Sequence, residues 1–417
     1  MRINRRQLSS KLIFGSSVLA LGRRQILAQE STLLPKILFL YCEGGWDQTM
    51  VFDPKINISN IDRESGQKAK IGSGGLTYVG HDNRQSVDQF FQKYGQNSVI
   101  VNGIYTSSLA FPAAAQALFS TNDRKKPLRR KAYLDFYGAQ KPNLPYPHMR
   151  IDISDFSSTA AELSVGINQE YLNAISSENE QTNKTQGQSS EIEEYLFNNY
   201  SRFIKKFREQ SRDFERTKVL RSQLNALHRL DDIIRDLYIH SERNSENSWI
   251  ETAKFALNLF KGDFAQSVAM RVGDAMAWNT QEDYFNKQAQ LFNNLFIGLN
   301  QICEYAASEH QIENLLIIVA SERGRSPQLN SEEFKSPWPY TSMLLHGPGL
   351  KGGSTVGLSD DMLIGRPLDP IFGEELLAGD PLRFENVFAA IFLKYGLTIN
   401  ELFPSSLKPL AAMLSRA

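Results

Sequence analysis

The sequence predicts an α/β fold, with a mostly parallel sheet flanked by helices. Three observations predict it. Residues 36–41, 98–104, 266–272, 315–320 and 341–345 form short apolar runs of strand length, the mark of strands buried within a sheet. Helical stretches separate several of these runs, as crossover connections between parallel strands require. A chain of 417 residues, 41% of them apolar, can bury a large core, in one domain or in one domain carrying an insertion.

The first element in chain order is a leader. Arg5 and Arg6 precede Leu8, an apolar run covers 12–21, and Ala28-Gln29 follows. A charged start, a short apolar middle and a small residue before a polar one predict a signal peptide over 1–28; the run is too short to span a bilayer. The arginine pair, with Arg23 and Arg24 beyond the apolar run, points to the twin-arginine export route rather than the general secretory one. The leader holds six of the 46 Lys and Arg and no acid, so the mature chain has 46 − 6 = 40 bases against 46 acids. That mildly negative balance argues against a nucleic-acid or anionic-lipid surface. No other run approaches membrane-spanning length.

The run 36–41 stops at Glu43-Gly44-Gly45, a central strand entering a tight loop. Gly72-Ser-Gly-Gly75 has no strand directly before it, so it reads as a loop and not as a phosphate cradle. After the strand at 98–104 a helix begins at 113–119. Residues 176–190 are polar and low in complexity, a flexible surface loop that cannot build a core. Ile192, Leu196, Tyr200, Phe203 and Phe207 recur at helical spacing, as do Leu220, Leu224, Leu227, Leu230, Ile234 and Leu237. These predict two long amphipathic helices inside a helical insertion over 191–260. A further helix over 284–306 turns Leu291, Leu295, Leu299 and Ile302 inward. The run 315–320 then delivers Ser321-Glu322-Arg323-Gly324-Arg325 to its carboxyl end, the edge where open α/β sheets bind ligands. His346 and residues 347–357 read as turns.

Cys42 and Cys303 lack metal-like spacing and read as buried thiols, with a disulfide open to them if they meet. The six histidines form no ligand-spaced pair on one helix face. Asp47 follows two glycines and is aimed outward from the strand end; it can hold a divalent cation or cap the next turn, and spacing alone favours the cap. Ser107 and Ser108 follow the second strand. Each can act as a nucleophile at a helix N-terminus or as a helix cap, the cap being the simpler reading.

Taken together, the arginine-pair leader, Gly44-Gly45-Trp46-Asp47, Phe52-Asp53-Pro54-Lys55, Ser321-Glu322-Arg323-Gly324-Arg325-Ser326-Pro327 and the glycine series Gly347, Gly349, Gly352, Gly353 and Gly357 resemble one family. The closing stretch from Asn386 to Gly396, with Leu402-Phe403-Pro404, continues the likeness to the end of the chain. It is the exported bacterial family catalogued as domain of unknown function 1501, related to the alkaline phosphatase and sulfatase superfamily. The resemblance implies an alkaline-phosphatase-like sheet. At its carboxyl edge, Asp, Glu and His would hold divalent metals that activate a nucleophile and clamp a phosphate or sulfate ester.

Carried over residue by residue, the resemblance also implies losses. Asn279 and Gln281 stand where the family has Asp and His, Ser336 and Pro337 where it has Asp and His, Phe111 or a neighbour where it has a helix-opening His, and Arg323 where it has Phe. Asp47 and Glu322 remain as metal ligands, enough for one weakly held magnesium or calcium ion but not for a nitrogen-containing zinc site. Ser107, Ser108 and Arg325 remain as catalytic candidates. The expectation is an exported periplasmic or cell-surface protein that binds envelope or surface proteins without catalysis. The alternative is a metal-dependent hydrolase of phosphate or sulfate esters.

Overall fold

The structure, a computed structural model, describes residues 34–121, 132–144, 146–153, 164–167, 248–400 and 402–415. The leader, the loop at 176–190 and the two helices expected within 192–237 lie outside the described residues. In chain order the first half contributes β1 (Lys36–Tyr41), β2 (Lys68–Ile71), β3 (Thr77–Gly80), α1 (Gln85–Tyr94), β4 (Ser98–Tyr105), α2 (Phe111–Phe119), α3 (Tyr133–Gly138), β5 (Tyr146–Ile151) and β6 (Ser164–Ile167). The second half contributes α4 (Ser248–Lys261), β7 (Ala265–Arg271), α5 (Tyr284–Ser308), β8 (Leu315–Ala320), β9 (Gly324–Leu329) and β10 (Lys335–Trp338). It closes with β11 (Tyr340–His346), β12 (Ser354–Val356) and α6 (Phe384–Lys394).

Among the described residues eight strands make the main sheet, in the order β12-β4-β11-β8-β1-β7-β5-β6. Strands β8, β1, β7, β5 and β6 pair in parallel, and β12 pairs in parallel with β4. Only β11 runs against its neighbours, β4 and β8. The reason is the link before it. From β8 the chain reaches β11 through the short β9–β10 hairpin and no crossover helix, so it re-enters the sheet from the edge it left. The expected mostly parallel α/β sheet is therefore present, with one reversed strand that the apolar run at 341–345 does not announce.

Strand β1 shows why the sheet is covered twice. Leu38 and Leu40 enter a core built with Phe90 and Phe91 of α1, Leu257 of α4 and Phe292, Phe296 and Leu299 of α5. Phe39 points the other way, its ring 5.3 Å from Phe119 of α2 and 6.3 Å from Phe388 of α6. Successive side chains on a strand face opposite sides, so a continuous apolar run needs a helix layer on each. Each fully buried leucine or phenylalanine contributes about 2 kcal/mol against exposure. Helix α5 buries Leu295, Leu299 and Ile302 as its spacing predicts, with Cys303 beside them, while Leu291 is only half-buried against the core. Cys42 and Cys303 are both buried free thiols, and burial pushes Cys303 up to about 12.

Local details differ from the sequence reading in three places, the first being residues 354–356, expected among turns, which form β12 alongside β4. Helix α2 starts at Phe111, with Pro112 in its first turn, two residues before the expected start. His346 is no turn residue: it closes β11, is buried, and its Nδ1 lies 3.0 Å from the Ser98 hydroxyl. Gly72–Gly75 does form a loop, a short turn joining β2 to β3. Among the described residues no helix is long and apolar enough to cross a membrane.

Candidate functional site

The register of the central strands aligns their carboxyl ends. Tyr41 lies opposite Arg271 of β7 and Ala320 of β8, so the loops that follow all three strands gather at one edge. The loop after β1 turns on two glycines in left-handed conformation, Gly44 at φ +121° and Gly45 at φ +97°. A Cβ on Gly44 would stand 2.5 Å from the Asn279 backbone nitrogen, which only glycine permits.

Asp47 emerges from this turn fully buried. Its Oδ1 accepts from the Thr49 amide at 3.1 Å and the Thr49 hydroxyl at 2.6 Å, so the side chain does cap the next turn. Its Oδ2 lies 2.8 Å from the Lys335 ammonium and accepts from the Tyr284 hydroxyl at 3.2 Å. A carboxylate has about four lone-pair positions. Four internal donors meet Asp47. The backbone amide of Asp47 is held as well, donating to Gln288 Oε1 at 3.0 Å.

Lys335 opens β10, and the β9–β10 hairpin sets it opposite Leu329, with its side chain at 0% exposure. Its ammonium also donates to Thr49 Oγ1 at 3.3 Å. The stretch that the resemblance assigns to metal ligands thus delivers a fixed cation. Ser336 and Pro337 themselves are half-buried. The amide of Ser336 donates to Ser326 Oγ, and Pro337 offers no donor atom.

Glu322 belongs to a separate set. Both its oxygens accept from the Gly44 amide at 3.2 Å, Oε2 also accepts from Ser321 Oγ at 3.2 Å, and Oε1 lies 3.3 Å from Arg323 Nε. Burial pushes its carboxyl above the ordinary value, while Arg323 and the Gly44 amide pull it back. Arg323 donates to the Gly44 and Leu109 carbonyls and stacks over Phe111. The cation expected beside Glu322 therefore also ties down the loop that carries the two serines.

Arg325 is buried and spends its guanidinium on the backbone. It donates to the carbonyls of Gly45 at 2.8 Å, Gly44 at 3.0 Å, Trp278 at 2.6 Å and Lys335 at 3.2 Å, and to Asn279 Oδ1 at 3.2 Å. One planar fork thus ties together backbone acceptors of the loop after β1, the loop after β7 and the start of β10. Burial lowers Arg325 from its ordinary value. Asn279, one of the residues standing where the family has a ligand, serves here as an acceptor. Gln281 is exposed.

Ser107 and Ser108 are half-buried, and neither caps a helix. Ser107 sits at φ +66°, while Ser108 Oγ accepts from the Ala110 amide at 3.0 Å before α2 begins. Among the described residues neither hydroxyl meets an imidazole or a carboxylate that could take its proton. A Ser–His pair does occur elsewhere: His148 Nδ1 of β5 lies 2.8 Å from Ser267 Oγ of β7, with Asp135 of α3 3.7 Å from Nε2. Ser267 is wholly buried in mid-strand, so this pair fastens two strands and α3 and cannot reach a substrate.

The structure thus brings Asp47, Glu322, Arg325 and Asn279 to one edge and leaves Gln281 and the serine hydroxyls out of their hydrogen-bond sets. Sequence reasoning missed Lys335, Tyr284, Gln288 and Thr49 as partners of Asp47. Tyr284 and Gln288 had one signal, an i, i+4 pair at the start of a predicted helix. Lys335 had none beyond being a lysine in a stretch expected to supply ligands. Among the described residues no three His, Cys, Asp or Glu side chains converge. With the oxygens of Asp47 already taken, the residues present do not fit the divalent metal that the resemblance implies.

No family model matches the chain, and no curated protein sequence does. Among solved structures it is similar to the lipoteichoic acid synthase LtaP from Listeria monocytogenes, at 6% identity over 91% of this chain and 76% of that one, with a TM-score of 0.44. It is also similar to the C-terminal periplasmic domain of EcEptC from Escherichia coli, at 10% identity over 91% and 88%, TM-score 0.41. A third is a protein in the alkaline phosphatase superfamily from Vibrio parahaemolyticus, at 7% identity over 87% and 67%, TM-score 0.38. A likeness of this degree says nothing of chemistry.

Proposed function

We propose that this chain is an exported protein of the bacterial cell envelope that works by binding or as a structural component, without catalysis. We place it in the family catalogued as domain of unknown function 1501, as a member whose metal centre has been replaced by internal cations. The observation that carries this reading is the saturation of Asp47 by four internal donors, one of them the fully buried Lys335 ammonium at 2.8 Å. A lysine that cancels the carboxylate from inside removes both the charge and the open position a catalytic cation needs. The arginine-pair leader supports export by the twin-arginine route to the periplasm or cell surface.

The alternative, a metal-dependent hydrolase of phosphate or sulfate esters using Asp47, Glu322 and Ser107 or Ser108, requires Lys335 to leave Asp47. Metal analysis of the purified protein after dialysis, with turnover of p-nitrophenyl phosphate and p-nitrophenyl sulfate in added zinc, manganese or magnesium, separates the two. The proposed reading expects no stoichiometric metal and no metal-stimulated turnover. Stoichiometric zinc or manganese that disappears in Asp47→Ala would establish the enzyme instead.

A further inference from the structure

Between β12 and α6 the chain makes two successive turns, over residues 358–380. Ten large apolar residues are exposed among the described ones, and seven of them lie in these turns, including Ile364, Ile371, Phe372, Leu376 and Leu377. Scattered single apolar residues on a surface need no explanation, but a concentration of this kind marks an interaction site. Phe372 is 66% exposed, and Leu377 is fully exposed.

The turns are held in place. Asp360 Oδ1 accepts from the amides of Met362 and Ile364, and Asp369 Oδ1 accepts from those of Ile371 and Phe372, at 2.8–3.0 Å. The Arg366 amide closes the first turn on Leu358 O at 2.9 Å, and the Leu376 amide closes the second on Pro367 O at 2.9 Å. Leu363 and Leu368 are buried beneath them. Lys55 donates to Ser359 O at 2.6 Å, and Trp338 donates to Leu363 O at 3.2 Å, so the first turn is clamped to the loops at the carboxyl edge. A surface ordered in advance loses less entropy when it binds.

Charge decides the occupant. The segment carries Asp360, Asp361, Asp369, Glu374, Glu375 and Asp380 against a single base, Arg366, which pairs with Glu375 across the two turns. The balance is 1 − 6 = −5. A second copy docking by the same face would set five excess negative charges against five, and an anionic lipid surface would be repelled in the same way. We infer that residues 358–380 are a docking surface for a partner protein that presents an amphipathic helix with an apolar stripe and basic flanks. Phe372 and Leu377 supply the apolar centre and the acids the rim. This goes beyond the reading of the sheet edge and does not depend on it.

The test uses the purified protein and a labelled helical peptide of leucine and lysine, about 18 residues long, with leucine at i, i+3, i+4 and i+7. Its counterpart with glutamate for lysine is the control. Fluorescence anisotropy is expected to show micromolar binding of the lysine peptide only. Binding should fall about tenfold or more in Phe372→Ser/Leu377→Ser and in Asp361→Lys/Glu374→Lys, and stay unchanged in Ile71→Ser, an exposed apolar residue far along the chain. Circular dichroism confirms that each variant is folded. The inference is overturned by no binding of the lysine peptide or by equal binding to Phe372→Ser/Leu377→Ser, which would mean adhesion by charge alone. It is equally overturned if Phe372 and Leu377 prove to drive self-association in sedimentation, or attachment to phosphatidylglycerol vesicles.

Discussion

Replacing Lys335 by methionine keeps most of the side chain's volume and removes its charge. In the native protein the ammonium and Asp47 lie 2.8 Å apart with both side chains at 0% exposure. At an effective dielectric of about 20, two unit charges at that separation attract by about 6 kcal/mol. Burying each ion costs several kcal/mol, so the intact pair contributes little net stability. The single variant removes the attraction and leaves Asp47 buried, a situation that costs about 3–5 kcal/mol. Thr49 and Tyr284 still donate to the carboxylate, which puts the expected loss near the lower end, about 3 kcal/mol. Urea unfolding followed by circular dichroism at pH 7 measures it, with Asp47→Asn and the double variant completing the cycle. The double variant should recover about 2 kcal/mol relative to the sum of the singles. A loss under about 1 kcal/mol for Lys335→Met, or a cycle without coupling, would refute the argument that this pair stands in for a metal centre.

Arg325→Lys retains charge but replaces a fork serving five acceptors by a point donor; stranded carbonyls should lower stability by about 2–4 kcal/mol, read from the same unfolding curves. Gly44→Ala forces a left-handed φ of +121° on alanine and drives its Cβ into the Asn279 backbone, so it should cost more than about 2 kcal/mol or abolish soluble expression. Burial holds His346 down to about 4, against an ordinary 6.5, so the unfolded chain takes up this proton first. The His346 contribution is intact above pH 6.5 and is lost as the pH falls towards 4, by up to about 3 kcal/mol. His346→Gln should flatten that limb of the stability curve; an unchanged slope would discount His346 as its source. Chelation with EDTA should leave the thermal midpoint within about 1 °C, because no bound ion is expected to stabilise the native state.

Much of this molecule is local information. Apolar runs of five or six residues marked β1 and β8 because strand length and a lack of polar alternation suffice to identify a covered strand. The glycines before Asp47 and the end of the run at Ala320 placed a carboxylate, Glu322 and Arg325 at the same sheet edge, since parallel strands all release their loops there. The inward face of α5 followed from 3.6-residue spacing.

What only the folded protein decided is who meets whom. Lys335 reaches Asp47 across 335 − 47 = 288 residues, through the hairpin register that sets Lys335 opposite Leu329. Nothing periodic in the chain encodes such a meeting. The same is true of the four carbonyls gathered under Arg325 and of the reversal of β11. Residue types alone determined that acids and bases would share the carboxyl edge. Strand order and register decided that they would neutralise one another, because a buried charge persists only beside the partner the tertiary fold delivers.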